Sequence, residues 1–163
     1  MSDANVFYEE LHTLEHLPQV KDLRRYSQHR GNTTFGHVRH VALSSFRLSQ
    51  RLHLNVDEKS LARGAMLHDY YLYSTKDVDI SAYRHGTGHP VTALKNAQKI
   101  FDLNAKEENI ILSHMWPLTI TRLPRSKEAW LVCLTDKYCA LSEMLGFRGK
   151  LPEEAEAPDR HEK

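Results

Sequence analysis

The feature that most constrains the fold is an apolar helical run that ends on a histidine beside a carboxylate, His68 and Asp69. Leu61, Ala65 and His68 are spaced to share one face of a helix predicted over residues 58–68, which places the imidazole at the inner end of that helix. A carboxylate buried there without a cation would be costly. By itself the doublet is compatible either with a hydrogen-bonded histidine beside an exposed aspartate or with a metal site.

Helical periodicity continues along the chain and predicts an all-α fold. Thr33 or Thr34 is a suitable N-cap for the second helix, and Gly146 is a suitable stop for the last one. Pro90 suits a first helical position, so the segment Tyr83–Pro90 is predicted as a loop with His89 as the cap. The predicted helices cover residues 5–17, 33–52, 58–68, 90–101, a segment opened by Asn104 and ending before Pro117, and 126–145.

Histidines also head or close apolar faces on other predicted helices. His37 heads a helical stripe that continues through Val41, Ser44, Leu48 and Leu52. His40, three residues further on, is a competing candidate for the inward histidine. His114 closes the apolar face formed by Ile110 and Ile111. Each of these histidines could separately be a hydrogen-bonded core residue.

A carboxylate interrupts the apolar face of the last predicted helix. Asp136 shares that face with Ala129, Val132, Cys133 and Ala140. Burying it requires either an ion pair with a basic side chain or a metal ion, and the sequence leaves both open.

Taken together, these residues form an array of histidines and aspartates without thiolates. Such donors suit iron, manganese, magnesium, cobalt, nickel or zinc. Six protein ligands exceed what one catalytic metal takes while leaving room for water, so we expect two metal ions with Asp69 as the bridge. The predicted ligands are His37, His68, Asp69, His89, His114 and Asp136.

Composition indicates a soluble globular protein of 163 residues, 40% hydrophobic and 26% charged, with a net charge of +1. That charge makes nucleic acid an unlikely partner, and no apolar run is long enough to span a membrane. The N-terminus is polar and acidic, so we predict no signal peptide and expect a cytoplasmic protein. Cys133 and Cys139 lie six positions apart, which fits neither a disulfide nor a zinc spacing, and are predicted to be reduced.

We predict one domain over residues 1–150, with a core at about 33–145 and an N-terminal helix at 5–17, followed by a disordered acidic tail at 151–163. The sequence His12–His16 matches the inverted zinc-protease pattern H-x-x-E-H, but an exposed helix explains it. The oligomeric state stays open, a homo-oligomer included.

The array resembles the HD-domain superfamily of metal-dependent phosphohydrolases. The resemblance rests on His37 within Gly36–Ala42, on His68 and Asp69 within Gly64–Asp69, and on Asp136 within Thr135–Tyr138. His89-Pro90 and His114 are similar to the two middle histidines of the family's binuclear branch. Many relatives carry arginine or a small polar residue where this chain has His40, so the family comparison favours His37 as the first ligand. The resemblance covers residues 33–145 and is greatest to small single-domain bacterial HD hydrolases.

The resemblance implies a bundle of about six or seven helices and hydrolysis of a phosphate ester by a metal-activated hydroxide. The substrate would be a nucleotide, a dinucleotide or another small phosphomonoester or diester. Asp69, His85 and Lys137 are the predicted catalytic residues, and Arg84 and Lys95 are further candidates for holding the phosphate. One alternative is an HD-type di-iron oxygenase acting on a small phosphonate or polyol. Another is a regulatory HD module, which normally loses ligands that this chain retains.

Overall fold

The computed structural model describes residues 4–28, 31–74 and 79–146, and within them the fold is all-α, as predicted. These residues form seven α-helices and one short 3₁₀ helix, Asp22–Arg25, with no strand among them. The α-helices are α1 (Ala4–His16), α2 (Pro18–Lys21), α3 (Thr34–Arg51), α4 (Glu58–Leu67), α5 (Ala82–Gln98), α6 (Ala105–Ser113) and α7 (Lys127–Met144).

Side-chain caps start the five long helices that follow α2. In each case a side-chain oxygen accepts a hydrogen bond from the backbone N–H three residues further on, which satisfies a donor that the helix leaves unpaired. Asn104 also forms a full capping box with Glu107. The capping residues of α3 to α7 are Thr33, Asp57, Ser81, Asn104 and Ser126.

Helix α4 is the centre of the bundle and contacts α1, α3, α5, α6 and α7. Gly64 lets α6 approach closely, because a Cβ built at Gly64 would lie 2.5 Å from Cδ1 of Ile110. Helix α7 packs against α3 and α6. Helix α4 is therefore packed among five other helices.

Helical periodicity predicts that Val6 lies on the apolar face of the first helix, and the observed apolar faces of α1 and α3 differ in detail from their predicted registers. In α1, Val6 is 47% exposed and Phe7 is buried instead, stacked on Phe46 of α3 with ring centroids 4.1 Å apart. In α3, His37 and Val41 are buried, but Leu52 is 56% exposed because the helix ends at Arg51. Ser44 and Leu48, in the middle of α3, are only half-buried as well, so in both helices the packing of neighbouring helices decides which side faces inward.

The predicted loop at residues 83–90, with His89 as a cap, is wrong. Helix α5 begins at Ala82, and Pro90 lies inside it. Contacts from the segment after α6 hold its first turns, since Arg122 Nη1 donates to the carbonyl of Thr87 at 2.8 Å. Tertiary contacts thus stabilise a helix through two glycines and a proline, residues that locally favour a turn.

Cys133 and Cys139 are both buried free thiols. In the described ranges we find no helix with the length and apolar character needed to cross a bilayer. His12 and His16 lie on the exposed side of α1, where His16 Nδ1 donates to the carbonyl of His12. The tail predicted at 151–163 lies outside the described residues.

Candidate metal centre

Six side chains that the sequence analysis singled out lie together where five helices meet. None of the six residues is more than 7% exposed. Their nitrogen and oxygen atoms form three overlapping groups whose members lie within 4.8 Å of one another. The six residues are His37, His68, Asp69, His89, His114 and Asp136.

Two adjacent helix ends supply half of this cluster. His68 is the C-cap of α4, with Asp69 directly after it, and His114 is the C-cap of α6. Because α4 and α6 pack against each other, the two imidazoles meet edge to face with ring centroids 4.8 Å apart. The other three residues come from within helices: His37 from α3, His89 from α5 and Asp136 from α7.

Asp69 lies between two sets of histidines. Its Oδ2 is 3.6 Å from His68 Nε2 and 3.8 Å from His37 Nε2. Its Oδ1 is 3.1 Å from His89 Nε2 and 3.4 Å from His114 Nε2. One carboxylate thus presents a different oxygen to each pair of imidazoles, which is the arrangement that a bridging ligand requires.

Asp136 belongs to the first of these two sets. Its Oδ1 is 2.9 Å from His37 Nε2 and 3.4 Å from His68 Nε2. The residues His37, His68 and Asp136 with Asp69 Oδ2 could hold one cation. The residues His89 and His114 with Asp69 Oδ1 could hold a second.

The outer nitrogen of each histidine already has a partner. Nδ1 of His68 donates to the carbonyl of Ala65 at 2.7 Å, and Nδ1 of His114 donates to the carbonyl of Ile111 at 2.7 Å. His89 Nδ1 donates likewise to the carbonyl of His85 at 2.8 Å. Such bonds fix the tautomer and turn the Nε2 lone pair into the cluster, as in histidines that bind metals.

The inner atoms of the cluster fit cations. Nε2 of His89 and Nε2 of His114 are 2.7 Å apart, although in each neutral ring the proton is on Nδ1, so two lone pairs face each other. His68 Nε2 and Asp69 Oδ1 are buried and make no hydrogen bond of acceptable geometry. Bound cations would satisfy all of these atoms, and a donor set of imidazoles and carboxylates suits divalent transition metals.

The electrostatics of the cluster keep its carboxylates ionised. Burial alone would raise the pKa of Asp69, but the neighbouring imidazoles of His68, His114 and His89 hold that pKa well below its usual range. The pKa of Asp136 is lowered in the same way, because the hydrogen bond with His37 and the nearby imidazole of His68 outweigh burial. Both carboxylates are therefore in the form that binds a cation.

The structure separates His37 from its competitor His40. The Nε2 of His37 lies in the cluster, whereas His40 Nδ1 lies 3.3 Å from Oε1 of Glu143. Glu143 also accepts a hydrogen bond from His37 Nδ1 at 3.1 Å. Burial lowers the pKa of His37, but hydrogen bonds to Asp136 and Glu143 outweigh it and raise the pKa to about 10.

Two further residues hold the cluster and were not predicted from the sequence, Glu143 and Gln28. Glu143 lies seven residues after Asp136, two helical turns along the same face, and that spacing could have identified it. Gln28 Nε2 donates to Asp69 Oδ2 at 2.8 Å, and its Oε1 accepts from the hydroxyl of Tyr71. Gln28 follows the 3₁₀ helix, and its backbone N–H donates to the carbonyl of Asn32 at 2.9 Å. No local pattern marks such a contact.

A cavity of about 640 Å³ opens onto the cluster. His85 and Lys137 line it, whereas Arg84 and Lys95 are exposed and do not. The ring of His85 stacks on His89 at 4.7 Å, and its Nδ1 is 2.9 Å from the hydroxyl of Tyr73. The ammonium of Lys137 donates to the carbonyls of His114 at 2.8 Å and Cys133 at 3.1 Å, so it also holds the turn that carries a cluster histidine.

Comparison with known proteins identifies one family. The family model described as the HD domain matches residues 34–141, about two thirds of the chain and the span that carries all six cluster residues. No curated protein and no solved structure gives a significant match.

Proposed function

Because the chain belongs to the HD-domain family, whose members are generally metal-dependent phosphohydrolases, we propose that it hydrolyses a phosphate ester with the help of two divalent metal ions. The observation that carries this proposal is Asp69, which presents one oxygen to each of two histidine pairs. His37, His68 and Asp136 would hold one ion, and His89 and His114 the other. Iron, manganese, cobalt, nickel and zinc all suit these donors, and magnesium is a further candidate.

Two divalent cations, when bound, would lower the pKa of a water molecule and offset the negative charge on the phosphoryl oxygens. The residues of the chain position the reactants. Asp69 would fix the separation of the two ions. His85, which lines the cavity beside His89, would give a proton to the leaving oxygen. Lys137 would place positive charge at the cavity next to the phosphate.

The size of the cavity supports a small substrate. A volume of about 640 Å³ lies within the range of pockets that bind small molecules and cofactors. Nucleotides and dinucleotides are the leading substrates by family, with other small phosphomonoesters and diesters next. The expected partner is therefore a small phosphorylated molecule.

The test combines metal analysis with a substrate screen. Elemental analysis should find two metal ions per chain, and a panel of phosphomonoesters, nucleotides and dinucleotides should give metal-dependent phosphate or nucleotide release. Asp69→Ala should abolish release and His68→Ala should reduce the metal content. His12→Ala, which alters an exposed histidine outside the cluster, should change neither.

Isotope labelling separates hydrolysis from the alternative of a di-iron oxygenase, which the same set of imidazoles and carboxylates would serve. Hydrolysis incorporates oxygen from labelled water into the product. Oxygen from dioxygen in an oxidised phosphonate or polyol would establish the oxygenase instead. A silent screen with both metal ions confirmed bound would remove the main support for hydrolysis.

A further inference from the structure

Beyond the charged cluster, much of the cavity lining is apolar. The wall is formed partly by α5, partly by the segment that follows α6, and partly by α7. Leu118 is 44% exposed at this wall although it is a large aliphatic residue. Pockets that bind small molecules are lined mostly by apolar side chains with a few polar groups, as this cavity is. The apolar lining residues are Ala82, Gly86, Met115, Pro117, Leu118 and Ala140.

This wall is held in place before any ligand binds. A Cβ built at Gly86 would lie 2.8 Å from Leu118 Cδ2 and 3.5 Å from Met115 Cε, so both side chains pack onto the bare backbone of α5. One residue further on, the carbonyl of Thr87 accepts a hydrogen bond from Arg122 Nη1 at 2.8 Å. The segment that carries Leu118 is therefore fastened to α5 at two adjacent residues, and a ligand would meet a preformed surface.

The cavity is larger than a phosphate group requires. A phosphoryl group at the cluster would occupy a small part of about 640 Å³, and the organic group of the ester would extend along the remaining lining. Covering apolar surface with an apolar group is favourable roughly in proportion to the area removed from water. A polyol at the same place would lose water from its hydroxyls without gaining partners from Leu118, Met115 or Ala140.

We propose that the substrate is a phosphate monoester of an apolar, aromatic or aliphatic, organic group, which lies against Leu118 and Met115 while its phosphate lies at the cluster. This inference rests on the proposed function and specifies its substrate class. In the reaction, the oxygen of water bonds to phosphorus and the bond from phosphorus to the ester oxygen breaks. A proton passes to that oxygen, which leaves an alcohol or phenol and inorganic phosphate. A nucleoside monophosphate would place its base, not its ribose, on the wall.

Binding can be measured without turnover by using phosphonates, which have no ester bond to break. Calorimetry on the metal-loaded protein, without oxygen, would compare methylphosphonate, phenylphosphonate and 2,3-dihydroxypropylphosphonate. Phenylphosphonate is expected to bind at least about tenfold more tightly than methylphosphonate, as burial of a ring face implies. The dihydroxypropyl compound is expected to bind no more tightly than methylphosphonate.

Two variants locate the effect at the wall. Leu118→Asp should abolish the tenfold gain from the phenyl group, read as the ratio of phenylphosphonate affinity to methylphosphonate affinity in the same variant. If Leu118→Asp lowers the melting temperature, Leu118→Asn replaces it in the same comparison. Ile120→Asp is the matched control, because Ile120 is 77% exposed two residues away and does not line the cavity, so it should retain the full gain.

The possible failures are distinguishable. A phenyl gain below threefold, or tighter binding of the dihydroxypropyl compound, would overturn the apolar assignment while the phosphohydrolase proposal stands. Equal losses in Leu118→Asp and Ile120→Asp would overturn it as well. If methylphosphonate does not bind to the metal-loaded protein and no phosphate ester is cleaved, the proposed function fails and the inference fails with it.

Discussion

Replacing Glu143 should weaken one of the two proposed metal sites and leave the other intact. The carboxylate of Glu143 accepts from His37 Nδ1 at 3.1 Å, and its side chain is only 8% exposed. These hydrogen bonds from His37 and His40 outweigh burial and lower the pKa of Glu143 to about 2, so it is ionised throughout the neutral range. A charged partner of this kind orients the imidazole and increases its basicity as a ligand.

The expected magnitude follows from the type of contact. A hydrogen bond to a charged group is worth about 1.5–3 kcal/mol, and loss of such an outer partner typically costs a site roughly 10- to 100-fold in metal affinity. Glu143→Ala should therefore weaken the ion at His37, His68 and Asp136 by about that factor. Glu143→Gln keeps the shape and one acceptor, so its effect should be smaller.

The assay is a competitive titration of apoprotein with manganese or zinc against a fluorescent chelator, with stoichiometry from elemental analysis. Wild type should fill two sites, and Glu143→Ala should show one weakened step and one unchanged step. Glu9→Ala removes an exposed carboxylate from α1 and is the control for charge. Two unchanged steps in Glu143→Ala would refute the orienting role, and equal weakening of both steps would refute the division of the cluster into two sets.

Three further predictions concern stability. Removing metal with a chelator should lower the melting temperature, because the ions bind only the folded cluster. Asp136→Asn should reduce both the metal content and the drop in melting temperature that the chelator causes. If neither the metal content nor that drop changes, ligation by Asp136 is refuted. Glu128→Gln should cost about 1.5 kcal/mol at pH 7, since this buried carboxylate accepts from the backbone of Asp57 at 2.7 Å and pairs with Lys106 at 3.2 Å. These contacts outweigh burial and lower the pKa of Glu128 in the folded protein from its usual value of 4.5. The ionised carboxylate therefore stabilises the fold fully above pH 4.5, and this stabilisation is lost as the pH falls through the lower pKa of the folded state. Urea unfolding should therefore show a shrinking difference toward pH 3, and a constant one would refute the assignment. Gly64→Ala should cost about 1–3 kcal/mol by overpacking against α6. Gly88→Ala, also within a helix but with nothing within 4 Å of the added Cβ, should be neutral or stabilise by up to about 1 kcal/mol, and equal effects in thermal unfolding would contradict the packing argument.

Where local rules applied, the sequence was sufficient. Thr33, one of the two predicted caps, begins α3 because its side chain accepts a hydrogen bond from the backbone N–H of Gly36. The apolar period likewise placed His68 and Asp136 on inward faces, since a helix turns by a constant angle per residue. The all-α class and the family therefore followed from the chain alone.

Only the tertiary structure decided what depends on contacts between distant segments. Helix α5 runs through Pro90 because the segment after α6 holds its first turns, whereas local propensity favours a turn there. His37 and His40 are both on α3 and both contact Glu143, and the position of Asp136 on α7, 2.9 Å from His37 Nε2, separates their roles. The contact from Gln28 to Asp69 joins residues 41 positions apart. Helical periodicity sets the direction in which a side chain points around the axis of its own helix. The distance between side chains on two helices depends on how those helices pack.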